Sequence, residues 1–471
     1  MIEILEHSAA LEGLDVATSA RTKAAELARR RAVPLTMIVV LVGATMAYTT
    51  GWGPVVRHHS YWIAPGDLWG TFHTAQYVAW GDIGDVYNSG SGLVSLPGIS
   101  VLLAPAALII NHLGLSISFP YEIAHPSAWW VLGPYETALG AIVLVPLDTL
   151  AEHLGVSGRS RIWCSIFGAI VLFPVLGIWG HPEDSVALAF AIWGLLAALR
   201  HRWRAAGWLF GAALVMQPLV VLMAPVVVAM APRREWPKLA LRGALPSLAL
   251  VAIPLAQAWR QTTTALFKQP NYPSVDHPTP WLSLAPVLTK VHRVKVQHIF
   301  QVTHPNGSTG FKVTISHTLG GLAVAAGPGR LIAIGLAVVI GVYAARRRPS
   351  MAEVVWLCCL ALSLRCVFES VMDPYYLWPP IALALPLVMR SHWRTVASVV
   401  GVAAMTWWSY KFLGPWQWWA PITVVLLLVV AMAKPSSDRL AKPSVRGEPM
   451  AKNLSYPDAP LRRSLTNSTV V

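Results

Sequence analysis

RTKAAELARRRAVPLTMIVVLVGATMAYTT, residues 21–50, decides the fold of this chain. An Arg-rich helical pattern runs directly into an apolar stretch from about Val33 to Thr50. Basic residues before a first span are held at the cytoplasmic leaflet by anionic lipid, so the N-terminus is expected inside. The first 33 residues are polar and show no cleavable signal pattern, so this span reads as a retained anchor. Composition extends the reading to the whole chain. With 55% hydrophobic and only 12% charged residues, 471 residues have too little polar surface to cover a soluble core. The formal charge of +14 falls mainly in short clusters between apolar runs, which is the pattern of membrane topology and not of a nucleic-acid partner.

The expected architecture is an all-α polytopic membrane protein with about 10–13 membrane segments. Residues 1–32 read as a cytoplasmic segment, 33–433 as the membrane domain and 434–471 as a disordered cytoplasmic tail. Two outer loops are expected, at 51–97 and 257–327. The run Gly207–Ala231 lies between two basic clusters, RHRWR and PRREWPK, so a single crossing would put one cluster on the wrong side. It reads as a helical hairpin broken at Gln217 and Pro218. The same parity argument makes Gly98–Leu113 a partly inserted segment. Cys164, Cys358, Cys359 and Cys366 lie in or beside apolar runs without metal spacing, and read as packing residues with no disulfides.

Ionisable residues are scarce, so the places where they gather carry weight. In APGDLWGTFHTAQYVAW, Leu68, Phe72, Ala75 and Ala79 recur at helical spacing behind Asp67, which suggests a helix along the outer membrane surface. Asp67 either caps that helix or is a catalytic carboxylate. Asp82 and Asp85 read as turn residues. WGHPEDS places His181, Glu183 and Asp184 between two apolar runs; the acids suit a helix N-terminus or a binding site. Gln217 either satisfies the broken hairpin or faces a ligand. LRCVFESVMDPYYLWPP carries Arg365, Glu369, Asp373, Tyr375 and Tyr376. Arg365 pairs with Glu369 at i, i+4 or holds a phosphate, and the tyrosines are interfacial or substrate-facing. Arg57, His58 and His59 snorkel to headgroups or contact a lipid phosphate. No metal signature is present, and Asn306 in NGS fits a glycosylation acceptor.

This arrangement resembles the polyprenyl-phosphate-sugar-dependent glycosyltransferases of the C superfamily, and is most similar to the branch of the phosphatidylinositol mannoside mannosyltransferases. The resemblance is carried by Asp67, Gly81 and Tyr87 in the first outer loop, by GWLFGAALVMQPLVVLMAPVVV and by DPYYLWPPIALALP. Members often have Lys where this chain has Gln217. The resemblance implies transfer of a sugar, mannose or arabinose, from a polyprenyl phosphate donor to a glycolipid or glycan acceptor on the outer face, with inversion. It implies Asp67 as general base, Arg365 or His58 and His59 near the phosphate, and His181, Glu183 and Gln217 around the sugar. Asp184, Tyr375 and Tyr376 complete the candidate substrate-binding set. The expected partners are the lipid-linked donor, the acceptor and membrane lipids, with no cofactor beyond the donor substrate. Two other readings remain open from the residues alone: a lipid-linked substrate flippase or other transporter, and a noncatalytic membrane scaffold.

Overall fold

An apolar segment surrounded by lipid must satisfy its own backbone N–H and C=O groups, and a helix does so within the segment. The protein, seen in a computed structural model, follows that rule. The structure describes residues 30–50, 65–87, 93, 95–117, 126–271, 273, 277–289, 292–303, 309–320, 323–411 and 413–435. The expectations for Arg57, His58, His59, Asn306, the segment before Arg30 and the tail after Pro435 lie outside those residues.

Helix α1 (Ala32–Thr49) is followed by α2 (Gly66–Trp80) and α3 (Gly98–His112). At 15 residues, α3 is roughly 22 Å long, short of a hydrocarbon core of about 30 Å, in keeping with a partly inserted segment. It packs on α2, where the hydroxyls of Thr74 and Ser100 bond in a buried contact. Helices α4 (Trp129–Ala141) and α5 (Leu144–His153) form one span, and α6 (Gly158–Phe173) continues through a π-helical turn, Pro174–Trp179, before α7 (Pro182–Leu199).

The broken hairpin follows. Helix α8 (Trp203–Met216) stops at Gln217, whose backbone is extended at φ −150° and ψ 118°. Pro218 disfavours a helical residue before it and lacks an N–H, so the chain restarts as a 3-10 turn, Pro218–Met223, and then α9 (Ala224–Met230). The break expected from sequence is therefore present. Helix α10 (Trp236–Gln257) packs along α8, and α11 (Trp259–Thr263) begins the long loop.

That loop, read from sequence only as a loss of hydrophobicity, holds strands. β1 (His277–Pro278) pairs antiparallel with β6 (Val371–Met372), and β2 (Val287–Thr289) with β5 (Ala323–Val324). β3 (His292–Thr303) and β4 (Thr309–Gly320) form an antiparallel hairpin. The membrane portion then resumes with α12 (Gly329–Arg347), α13 (Met351–Phe368), α14 (Trp378–Val388), α15 (His392–Ser409) and α16 (Pro415–Met432). The start of α13 is a capping box: Ser350 Oγ accepts from Glu353 N–H at 3.4 Å, and Glu353 accepts from Ser350 N–H at 2.7 Å. Among the described residues, eight helical segments are long and apolar enough to cross a membrane, which establishes an all-α multi-pass architecture.

Two ends of the bundle differ in chemistry. At one end, Arg31 of the α1 lead-in bonds Asp148 and Glu152 of α5, while Arg161 of α6 donates to Asp148 at 2.8 and 2.6 Å. These residues lie at three helix ends, and both arginines pair with the same two carboxylates, so the clusters read as topology signals are also cross-links. At the other end, the indole of Trp129 donates to Thr49 at 3.0 Å, and the polar groups of α2 and α7 gather. The four cysteines are buried among the helices, as packing residues should be.

Candidate functional site

Asp67 lies in the first turn of α2. The residue that precedes the helix is Pro65, and no side chain caps its free N–H groups, so the capping reading of Asp67 does not hold. Instead its carboxylate accepts from His181 Nε2 at 2.9 Å, across 114 positions of sequence. Leu68, Phe72 and Ala75 are buried and Ala79 is half-buried, which bears out the helical spacing and fixes the face of α2 that turns inward. Gly81, at φ +87°, ends the helix in the left-handed conformation.

The meeting of α2 with α7 depends on another glycine. Gly180 closes the π-helical turn at φ +73°, and a Cβ there would lie 2.7 Å from Leu68 Cβ and 2.8 Å from Pro65 Cβ. Only glycine lets the start of α2 dock on this turn. The docking brings Asp67 to His181, the residue immediately after Gly180. Nδ1 of His181 bonds Glu183, and the ring lies on Tyr375 with centroids 3.7 Å apart and planes at 21°. Tyr375 donates to Asp373 at 2.9 Å.

Both imidazole nitrogens face carboxylates, which requires that both donate and hence that His181 is the imidazolium. Its pKa is pushed well above the usual value: burial opposes the charge, but Glu183 and the bonds to both carboxylates outweigh burial. Asp67 responds in the opposite sense. Surrounding protein raises its pKa, and the hydrogen bond and charge of His181 more than reverse that, leaving it below the ordinary range. Burial holds the Tyr375 phenol above its ordinary pKa, with Asp373 adding to the effect.

Behind this triad the charges are less complete. Asp184 is 1% exposed and neither carboxylate oxygen has a hydrogen-bond partner. Gln217 faces it without completing a bond, and Arg365 acts on it through its charge. The Arg365 guanidinium sits 3.4 Å over the Tyr376 ring and donates to Glu369 at 3.3 Å, leaving one buried nitrogen unpaired. The i, i+4 pairing read from sequence is real, but Glu369 also accepts from Arg330 of α12 at 2.8 Å. Gln217, Leu219, Leu222, Arg330, Arg365 and Glu369 line a cavity of about 190 Å³, polar at one end and apolar along the 3-10 turn.

The structure therefore joins Asp67, His181, Glu183, Asp184, Gln217, Arg365, Tyr375 and Tyr376 in one region, while Asp82 and Asp85 stay in the turn and 3-10 helix beyond α2. Ligand atoms of His181, Glu183 and Asp184 all lie within 4.8 Å of one another, close enough to share a metal ion. Sequence gave no metal signature, because the grouping depends on side-chain direction at a helix start. Arg330 and Glu136 were also missed. Glu136 is fully buried within α4, bonded on one oxygen to Thr137 at 2.9 Å and unpaired on the other. A carboxyl inside an apolar span is itself a functional signal, and it was present in GPYETALG. No protein-family model matches the chain, and no curated protein matches it.

Proposed function

We propose that this multi-pass membrane protein is a glycosyltransferase that moves a sugar from a polyprenyl phosphate donor to a lipid or glycan acceptor, with the site on the outer side of a cell membrane. The observation that carries this reading is the division of charge within one region. Asp67 is held as a carboxylate at the open edge, its side chain 60% exposed, while Arg365 and Arg330 bound an apolar-walled cavity behind it. A lipid phosphate suits the two guanidinium groups, and a prenyl chain suits the Leu219 and Leu222 wall. Sugar hydroxyls would complete both oxygens of Asp184 and the one oxygen of Glu183 that His181 does not take.

In the reaction, the acceptor oxygen forms a bond to the anomeric carbon as that carbon's bond to the phosphate oxygen breaks, with inversion. The acceptor proton passes to Asp67. The leaving phosphate gains one negative charge, which Arg365 and Arg330 stabilise. His181 lowers the basicity of Asp67 but keeps it ionised and aimed, so proton transfer comes late in the displacement. Tyr375 holds the imidazole from its other face. A divalent ion held by His181, Glu183 and Asp184 would require His181 to give up the proton it shares with Glu183, so metal binding and the imidazolium form exclude each other.

The test is transfer of labelled sugar from polyprenyl phosphate donors to a lipid extract by purified protein, comparing wild type with Asp67→Asn. Removal of a general base is expected to lower turnover by about 10²–10⁴-fold while donor binding persists. Equal turnover in the two proteins would remove Asp67 from catalysis. A second reading, a lipid-linked substrate flippase or other transporter, is favoured by Glu136, an ionisable group buried within a span. Donor translocation in vesicles without sugar transfer, abolished by Glu136→Gln, would favour that alternative.

A further inference from the structure

Helix α10 is the least buried of the eight long spans, with 11% of its most apolar window covered. Beneath it lies a second cavity of about 250 Å³ between α8, the hairpin and α10. Phe210, Leu214, Val221, Val228 and Leu239 form its apolar walls, and Gly243 opens it: a Cβ on Gly243 would meet nothing within 4 Å. The lining offers no polar side chain for a peptide backbone, whose N–H and C=O groups would be left unsatisfied. A helix about 10 Å across would not fit so small a space, whereas a hydrocarbon chain does.

Charge identifies what the chain is attached to. Arg242 lies in α10 beside this slot, its stem close against the backbone of Gly207, where a Cβ would be 3.0 Å from Arg242 Cβ. One of its guanidinium nitrogens is buried without a partner. The same end of the two helices presents exposed Arg202, Arg204, Arg233, Arg234 and Lys238. The acid among them, Glu235, pairs with Lys238 at 3.5 Å. Exposed Trp208 and Trp236 mark the interfacial level. We infer that this slot binds one anionic phospholipid, an acyl chain beneath α10 and its phosphate at Arg242. Cations at a span end attract a net-negative headgroup, and an arginine at membrane depth calls for an anion.

The site is separate from the proposed reaction but touches the same hairpin. Val221 lines both this slot and the cavity that contains Gln217 and Arg365. A lipid in the slot supports the 3-10 turn from its lipid side.

The test is to reconstitute the full chain in nanodiscs of mixed phosphatidylglycerol and phosphatidylcholine, extract it in mild detergent, and read retained lipid by native mass spectrometry. Wild type is expected to keep one phosphatidylglycerol in preference to phosphatidylcholine. Arg242→Gln is expected to reduce retention about fivefold, the effect of one basic residue at a membrane surface. Gly243→Leu fills open space and is expected to displace the lipid at unchanged melting temperature. Retention in Gly243→Leu equal to wild type would overturn the proposal, as would equal retention of phosphatidylcholine or displacement of the lipid by inorganic phosphate. The measurement reads lipid directly, so its failure leaves the transferase reading untouched.

Discussion

The imidazole of His181 lies flat on the ring of Tyr375, 3.7 Å between centroids, while its Nε2 donates to Asp67 at 2.9 Å. One ring surface thus fixes the direction of a hydrogen bond to a residue on another helix. If this support aims the carboxylate, Tyr375→Ala should lower turnover by about 10²-fold, as expected for a misplacement near 1 Å, with donor affinity retained. Tyr375→Phe keeps the ring and loses only the bond to Asp373, so it should remain within a few-fold of wild type. Similar losses in the two variants would assign the effect to the hydroxyl instead of the stack.

The pH dependence of transfer should follow the depressed Asp67 pKa. A carboxylate with a lowered pKa is in its basic form above that value, and activity is lost as pH falls through it. The acid limb of kcat/KM should therefore lie below the ordinary aspartate value of about 3.9. His181→Gln removes the hydrogen bond and the positive charge and leaves the burial that raises the pKa. Its acid limb should move upward; an unmoved limb would show that Asp67 is not the titrating base.

Glu369 is 2% exposed and accepts from both Arg330 and Arg365. Glu369→Gln leaves two guanidinium groups facing each other without an anion. The expected loss of stability is about 3 kcal/mol, read from unfolding in detergent. Arg330 is more open, with 26% of its side chain exposed, so Arg330→Gln should cost about 1 kcal/mol. Equal losses would mean that Glu369 does not depend on the deeper arginine.

At the opposite end of the bundle, Asp148 joins Arg31 and Arg161 and is 4% exposed. Asp148→Asn removes the anion that Arg31 and Arg161 share and leaves them Glu152 alone, so it should cost about 2 kcal/mol. It should leave the pH profile of transfer unchanged, because it touches none of the groups around Asp67. A shift of the acid limb in this variant would contradict the separation of the two ends.

The hairpin and the helix that begins at Asp67 were legible because each rests on local chemistry. Pro218 ends α8 wherever the chain goes next, and Leu68, Phe72 and Ala75 share a face at helical spacing. Strand β1 was not legible, since it exists only by pairing with β6, some 90 residues away. Asp67 was found as a candidate, yet spacing alone favoured capping, and only the family resemblance pointed to catalysis. Its partner, His181, becomes visible only when Gly180 admits α2 against the π-helical turn.

Sequence by itself determined that this protein lives in a membrane, where its apolar runs become helices and its hairpin breaks, because lipid leaves a backbone no partner but itself. Tertiary structure decided which ionisable groups meet. Asp67 with His181, Arg330 with Glu369, and Asp184 near Gln217 and Arg365 come from different helices. Their charges act over a few ångströms in a medium of low dielectric, so a helix shift too small to alter any pattern in the sequence makes or breaks the site.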